Sequence, residues 1–164
     1  MFKNKHVIIS LIVAPILAII SYFAVDAMVA ETPHAAQPGE RVELIEKPNC
    51  RYSSGACDLK NGEFEIHIQA KWSDEVQVLL TLESKYPLDG VIAAHVTNDD
   101  HNVPPINMRP LDKEGHKWTL NIVNPDVNVD RLRLAASAQR ALYYGDASLT
   151  FINYETSYQD DFRE

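Results

Sequence analysis

Residues 63–84, EFEIHIQAKWSDEVQVLLTLES, alternate apolar and polar side chains twice, on either side of a short polar break. In the first run Phe64, Ile66, Ile68 and Ala70 share one side, while Glu63, Glu65, His67 and Gln69 share the other. In the second, Val76, Val78, Leu80 and Leu82 repeat the pattern. A period of two is the signature of strands with one face on a core and one in water.

The same period recurs outward along the chain. GVIAAHVTN at 90–98 is expected to turn Ile92, Ala94 and Val96 inward. HKWTLNIV at 116–123 follows the turn-like DKEG at 112–115 and aligns Trp118, Leu120 and Ile122. RLRLAASAQ at 131–139 aligns Leu132, Leu134, Ala136 and Ala138. ASLTFINYE at 147–155 reads as the second arm of a hairpin whose turn is Tyr144-Gly145-Asp146, and RVELIE at 41–46 reads as a first strand. About seven short strands result, or eight if INM at 106–108 pairs. The expected fold is all-β, an immunoglobulin-like antiparallel β-sandwich, with a small open barrel as the alternative closure.

Before the strands lies a different kind of sequence. VIISLIVAPILAIISYFAV at 7–25 holds no charged residue, and as a helix it would be about 28 Å long, close to the roughly 30 Å hydrocarbon layer. Lys3 and Lys5 precede it, and Asp26 and Glu31 follow. Basic flanks stay cytoplasmic, so the reading is a single-pass bacterial inner-membrane protein with its N-terminus inside and its C-terminal domain periplasmic. A cleaved signal peptide is the competing reading. The uncharged run exceeds the usual signal core, and Met28 occupies the position three residues back from Ala30 where a small residue is expected. An uncleaved anchor is preferred.

The expected organisation is therefore a cytoplasmic tip and membrane anchor at 1–30, a tether at 31–40, a β-sandwich domain at 41–155 and a polar tail at 156–164. The 164-residue chain carries a net charge of -8. Beyond residue 30 there are 13 basic and 22 acidic residues, with the basic ones dispersed. A nucleic-acid backbone would be repelled, and nucleic acid is excluded as a partner. The partners expected are the lipid bilayer, through residues 7–30, and an inner-membrane protein complex.

Cys50 and Cys57, the only cysteines, flank RYSSGA on the inferred outer side. An oxidising compartment and a bendable Ser-Ser-Gly segment favour a structural disulfide. Six intervening residues do not make the Cys-X-X-Cys arrangement of a redox pair. His95, His101, Met108 and His116 offer nitrogen and thioether donors that would suit copper if the sheet brought them together. Each also makes sense as a solvated strand or turn residue, with Met108 filling a core edge. Asp99 and Asp100 lack the register of a calcium loop. Tyr143, Tyr144 and Tyr154 are candidates for a partner-binding surface, with one tyrosine and Phe151 as the expected core contribution. No nucleophile elbow, phosphate loop, metalloprotease signature or dinucleotide fingerprint is present, so no enzymatic activity and no cofactor are expected, copper being the alternative.

INMRPLDKEGHKWTLNIV at 106–123, with Asp112, Gly115 and Trp118 before a strand, resembles the FixH family of cytochrome-oxidase assembly proteins, as does the layout of basic start, single span and small outer β-domain. The Cys50/Cys57 segment, AAHVTNDDHN and the acidic tail depart from that family's pattern. The resemblance implies association with a membrane oxidase and its copper-delivery machinery, without a reaction of its own. The expected function is a non-enzymatic, membrane-anchored accessory or assembly protein for an inner-membrane complex, with periplasmic copper delivery as the alternative.

Overall fold

The structure is a computed structural model that describes residues 5–29, 37–97 and 103–155. The expected tail at 156–164, and all of the expected tether except 37–40, lie outside the described residues. The chain divides into two compact units, 1–34 and 35–164.

The first unit is one helix, Lys5–Val29, continuous through Pro15. Its segment Ile8–Val25 is long and apolar enough to cross a membrane. Exposed isoleucine, leucine and aromatic side chains stand on every side of it, a distribution suited to lipid rather than to one protein face.

The second unit is mostly β. Among the described residues its strands, in chain order, are β1 (Arg41–Glu46), β2 (Ala56–Asn61), β3 (Phe64–Trp72), β4 (Gln77–Ser84), β5 (Gly90–Val96), β6 (Ile106–Asn107), β7 (Arg109–Pro110), β8 (Lys117–Val123), β9 (Arg131–Ala138) and β10 (Ala141–Ser148). They pair in the order β6-β5-β9-β10-β1-β2-β3-β4-β8-β7. The sheet nearly closes on itself, because two short segments each serve both halves. Arg41–Leu44 runs beside β10, after which Ile45 and Glu46 pair with β2. On the far edge, Ile106 and Asn107 pair with β5, while Arg109 and Pro110 pair with β8. Between them Met108 turns into the core. Edges covered in this way, and marked by Pro110, are poor templates for stray strand pairing.

The expected alternation holds for Phe64, Ile66 and Ile68 in β3, for Val78, Leu80 and Leu82 in β4, for Trp118, Leu120 and Ile122 in β8, and for all four apolar positions of β9. These side chains form one core together with Leu44, Leu59, Leu149, Phe151 and Ile152. Val76 is exposed in the β3–β4 loop, one residue before β4 begins.

Four expectations need correction. The β1–β10 pairing is parallel, so the sheet is not wholly antiparallel. In β5 Ala94 and Val96 are buried as expected, but Val91 and Ala93 enter the core as well and Ile92 faces outward at 38% exposure. Its continuous apolar run let either parity look plausible, and pairing with β9 decided it. Tyr144-Gly145-Asp146 is not a turn but the middle of β10; the hairpin turns at Gln139 and Arg140, both with positive φ. After β10 the chain makes a single 3-10 turn, Thr150–Ile152, where a strand was expected.

Gly145 sits mid-strand for a steric reason. A Cβ there would lie 3.0 Å from the Leu44 carbonyl oxygen and 3.1 Å from the Leu44 Cβ. The close approach of β1 requires hydrogen at that position. Gly145→Val should lower the unfolding free energy by about 1 to 3 kcal/mol, read from urea denaturation, while a change at exposed Leu142 should leave it nearly unmoved.

Candidate functional site

The strand register sorts the β-domain's loops to two ends. Chain entrance and the β9–β10 hairpin share one end, where Gly39 N–H bonds the Arg140 carbonyl. At the other end lie the β3–β4 loop, the β8–β9 loop, the disulfide loop and the segment after β10. Val78 pairs with Trp72, Gln77 pairs with Val123, and Asn124 N–H bonds the Val76 carbonyl, placing the first two loops side by side. Thr150 Oγ1 donates to the Val127 carbonyl at 3.1 Å and brings in the segment after β10.

Each of these loops is held by its own chemistry. Asp74 Oδ1 accepts the N–H groups of Val76 and Gln77 at 2.9 and 2.7 Å, closing the β3–β4 turn. Cys50 and Cys57 form the expected disulfide, with Cα atoms 4.3 Å apart. Both sulfurs are buried in the core, Cys50 from the 3-10 turn Pro48–Arg51 and Cys57 from β2. Ser54 Oγ lies 2.8 and 2.6 Å from the Asn49 and Ala56 carbonyl oxygens. Gly55 N–H donates to the Phe151 carbonyl at 2.8 Å, and Ser54 bridges to Tyr154. Gly55 has a positive φ, and a Cβ on it would meet the Tyr154 ring at 3.3 Å. The disulfide loop and the C-terminal segment therefore dock on each other.

Under the β8–β9 loop, Asp130 is buried and doubly engaged. Its Oδ2 accepts the Asp126 N–H at 2.9 Å and lies 2.7 Å from His95 Nε2. His95 shares the parity of Val91 and Ala93, which places it on the inner side of β5 and not on the polar face expected for it.

Glu46 links β1 to this end. Burial alone would push its carboxyl up, but the Ser148 N–H, the bond from Arg51 and the Arg131 charge outweigh burial and hold it below the ordinary glutamate value. A lowered carboxyl stabilises the fold above the unfolded-state value and loses that contribution as pH falls through the folded-state value. Urea midpoints should accordingly fall as pH drops from about 5 toward 3, and Glu46→Gln should flatten that slope.

Among the groups exposed here are aromatic, aliphatic and acidic side chains. Tyr52 is 68% exposed, Tyr154 71% and Trp72 38%. Val76, Val123 and Val129 are also exposed. Trp72, Ser73, Asp74 and Glu75 line an open recess at the β3–β4 tip. Exposed Asp126 and Glu155 lie on the neighbouring segments. Large aromatic side chains on pinned loops are groups that bind a partner with little loss of conformational freedom.

The residues singled out from sequence are placed unequally. Tyr154 belongs to this end. Tyr144 is on the outer face of β10, 41% exposed. Tyr143 is corrected from partner surface to core: it is buried and stacks on Phe64 with ring centroids 3.5 Å apart, because strand alternation sends neighbouring tyrosines to opposite faces. Burial, aided by the Glu40 charge, pushes its phenol up.

The copper candidates do not come together. His95 is engaged by Asp130 near the end of β5, and Met108 is buried beside the start of β5, where its N–H bonds the Val91 carbonyl. His116 lies at the end of the domain away from His95, its Nδ1 2.9 Å from the Ser84 carbonyl. His101 lies outside the described residues. Among the described residues no group of three or more His, Cys, Asp or Glu side chains is placed to hold a metal ion.

A polar row missed from the sequence crosses the outer face of four strands: Asp58, His67, Glu83 and Lys117 stand in register. His67 Nδ1 meets Asp58, and Lys117 meets Glu83 at 2.7 Å. Its members bond one another along a partly exposed surface, which marks it as a solvated face.

No protein-family model and no curated protein matches the chain. A solved structure described as "Crystal structure of Br derivative BhCBM56" is similar in part, at 13% identity and a TM-score of 0.36, covering 53% of this chain and 89% of that one.

Proposed function

We propose that this chain is a non-enzymatic accessory protein of a membrane complex, anchored by its N-terminal helix, with an immunoglobulin-like β-domain on the periplasmic side of a bacterial inner membrane. The observation that carries the reading is the pairing of one apolar helix, Ile8–Val25, with a β-domain whose loops expose Tyr52, Trp72 and Tyr154 on a cross-braced end. The basic residues before the helix support the inside N-terminus, and the disulfide supports an oxidising compartment for the domain. Pairing of β4 with β8, β5 with β9 and β10 with the start of β1 supports the immunoglobulin-like arrangement. A respiratory oxidase complex is the assembly that the FixH-like layout favours.

The test is recovery from membranes in mild detergent after chemical crosslinking. The chain should resist carbonate extraction and should yield reproducible crosslinks from the β-domain to the outer segments of one integral membrane complex. Release by carbonate, or repeated recovery of the chain alone, would overturn the proposal.

A further inference from the structure

We infer that the loop end bearing Trp72, Tyr52 and Tyr154 docks a basic segment of the partner, with an arginine or lysine side chain seated in the recess of Trp72, Asp74 and Glu75. The inference rests on the accessory role proposed above and gives that role a surface and a partner chemistry.

Charge and shape select this occupant. Exposed carboxylates at this end are Asp74, Glu75, Asp126 and Glu155. Among the described residues here, Arg51 is paired with Glu46 and Arg131 with Asp146, each at 2.7 Å, so the four exposed acids outweigh exposed Lys71. The chain's net charge of -8 extends the same sign over a longer range and steers cations inward. A second copy of this chain would bring like charge and be repelled. The recess is lined by one indole-bearing residue, Trp72, and two acidic residues, Asp74 and Glu75, along with Ser73. Guanidinium and ammonium groups bind such a face through the ring quadrupole, and adjacent carboxylates add charge-assisted bonds. Tyr52 and Tyr154, exposed at the same end, offer broad surface for apolar residues between the partner's charges. The disulfide, Gly55 and the Asp74 turn hold these elements before binding, so little ordering remains for the partner to induce.

The experiment uses the full chain in neutral-lipid nanodiscs. The probe is a tryptophan-free peptide of alternating arginine and leucine, and its control has glutamate in place of arginine. Trp118 is buried, so a peptide-dependent change in indole fluorescence reports Trp72. The basic peptide should bind saturably and the acidic one should not. Raising salt to 0.5 M should weaken binding about tenfold or more. Trp72→Ala and Glu75→Lys should each weaken binding at least tenfold, measured with a dye-labelled peptide, while leaving the thermal midpoint near that of the parent.

No binding, equal binding of both peptides, or binding unchanged in both variants would overturn the docking assignment. So would concentration-dependent self-association through Trp72. A membrane partner whose crosslinks map to the β3–β4 sheet face would overturn this assignment while leaving the accessory role standing. Peptide binding with no partner in membranes would do the reverse.

Discussion

Replacing Phe151 by alanine should lower the unfolding free energy of the β-domain by about 3 to 5 kcal/mol, the usual cost of emptying a buried aromatic site. Phe151 is fully buried, in the 3-10 turn Thr150–Ile152, among Leu59, Ile68 and other core side chains. Its own carbonyl accepts the Gly55 N–H, so the turn also fastens the disulfide loop. Loss of the ring should therefore loosen Tyr154 and Tyr52 before the sheet melts. Hydrogen exchange on Phe151→Leu should show faster opening at residues 53–55 with β3, β4 and β8 still protected. A variant as stable as the parent would mean that the C-terminal turn is an appendage to the core.

Removal of the disulfide is the second large effect. Closing a loop of this length contributes about 2 to 3 kcal/mol by chain entropy. The sequence alone suggests a bond that merely orders a surface loop, but both sulfurs are buried and belong to the core. Cys50→Ser would also bury a hydroxyl where a sulfur packs and leave a lone thiol on Cys57, adding roughly 1 to 2 kcal/mol. The predicted total, about 3 to 5 kcal/mol, is a large share of the stability of a domain this size. Double replacement by alanine should cost less than Cys50→Ser plus a separately measured Cys57→Ser, because the two share one bond. Non-reducing peptide mass spectrometry of membranes alkylated before lysis should find Cys50 and Cys57 in one crosslinked set. Predominantly free thiols would contradict both the bond and the compartment.

Much of the fold was legible because β3, β4, β8 and β9 obey a period of two, with one face on the core and the other in water. Where that cue weakened, the reading failed in identifiable ways. ACDLKN at 56–61 has only Cys57 and Leu59 turned into the core, so β2 was passed over. The Asn61-Gly62 pair that follows was the available signal, since glycine at the first position of a two-residue hairpin turn has a mechanism. The β9–β10 hairpin turns through Gln139 and Arg140, which carry positive φ without glycine and leave no such mark. Gly145 misled in the opposite direction, being present for close packing rather than for bending. His95 was expected on the polar face, opposite Ile92, Ala94 and Val96, and the pairing of β5 with β9 set the other parity.

The site was legible in pieces. Tyr154 and the cysteines stood out as residue types, as did the apolar helix that precedes them. Trp72 lies in the break between the two alternating runs and drew no reading, because its exposure depends on β3 ending there and on Asp74 closing the turn. The gathering of four loops at one end is a property of register over long sequence separations. No local window contains it.

The central claim, that the β-domain serves a membrane complex through its loop end, is most directly tested by site-specific photocrosslinking in intact membranes. A photoreactive amino acid would be placed singly at Val76, at Glu155 and, as a control, at Lys60 on the exposed end of β2. The account predicts a discrete adduct with an integral membrane protein from Val76 and Glu155, lost when Trp72→Ala is combined with either probe, and none from Lys60. Adducts from Lys60 alone, or no adduct from any of the positions, would contradict it.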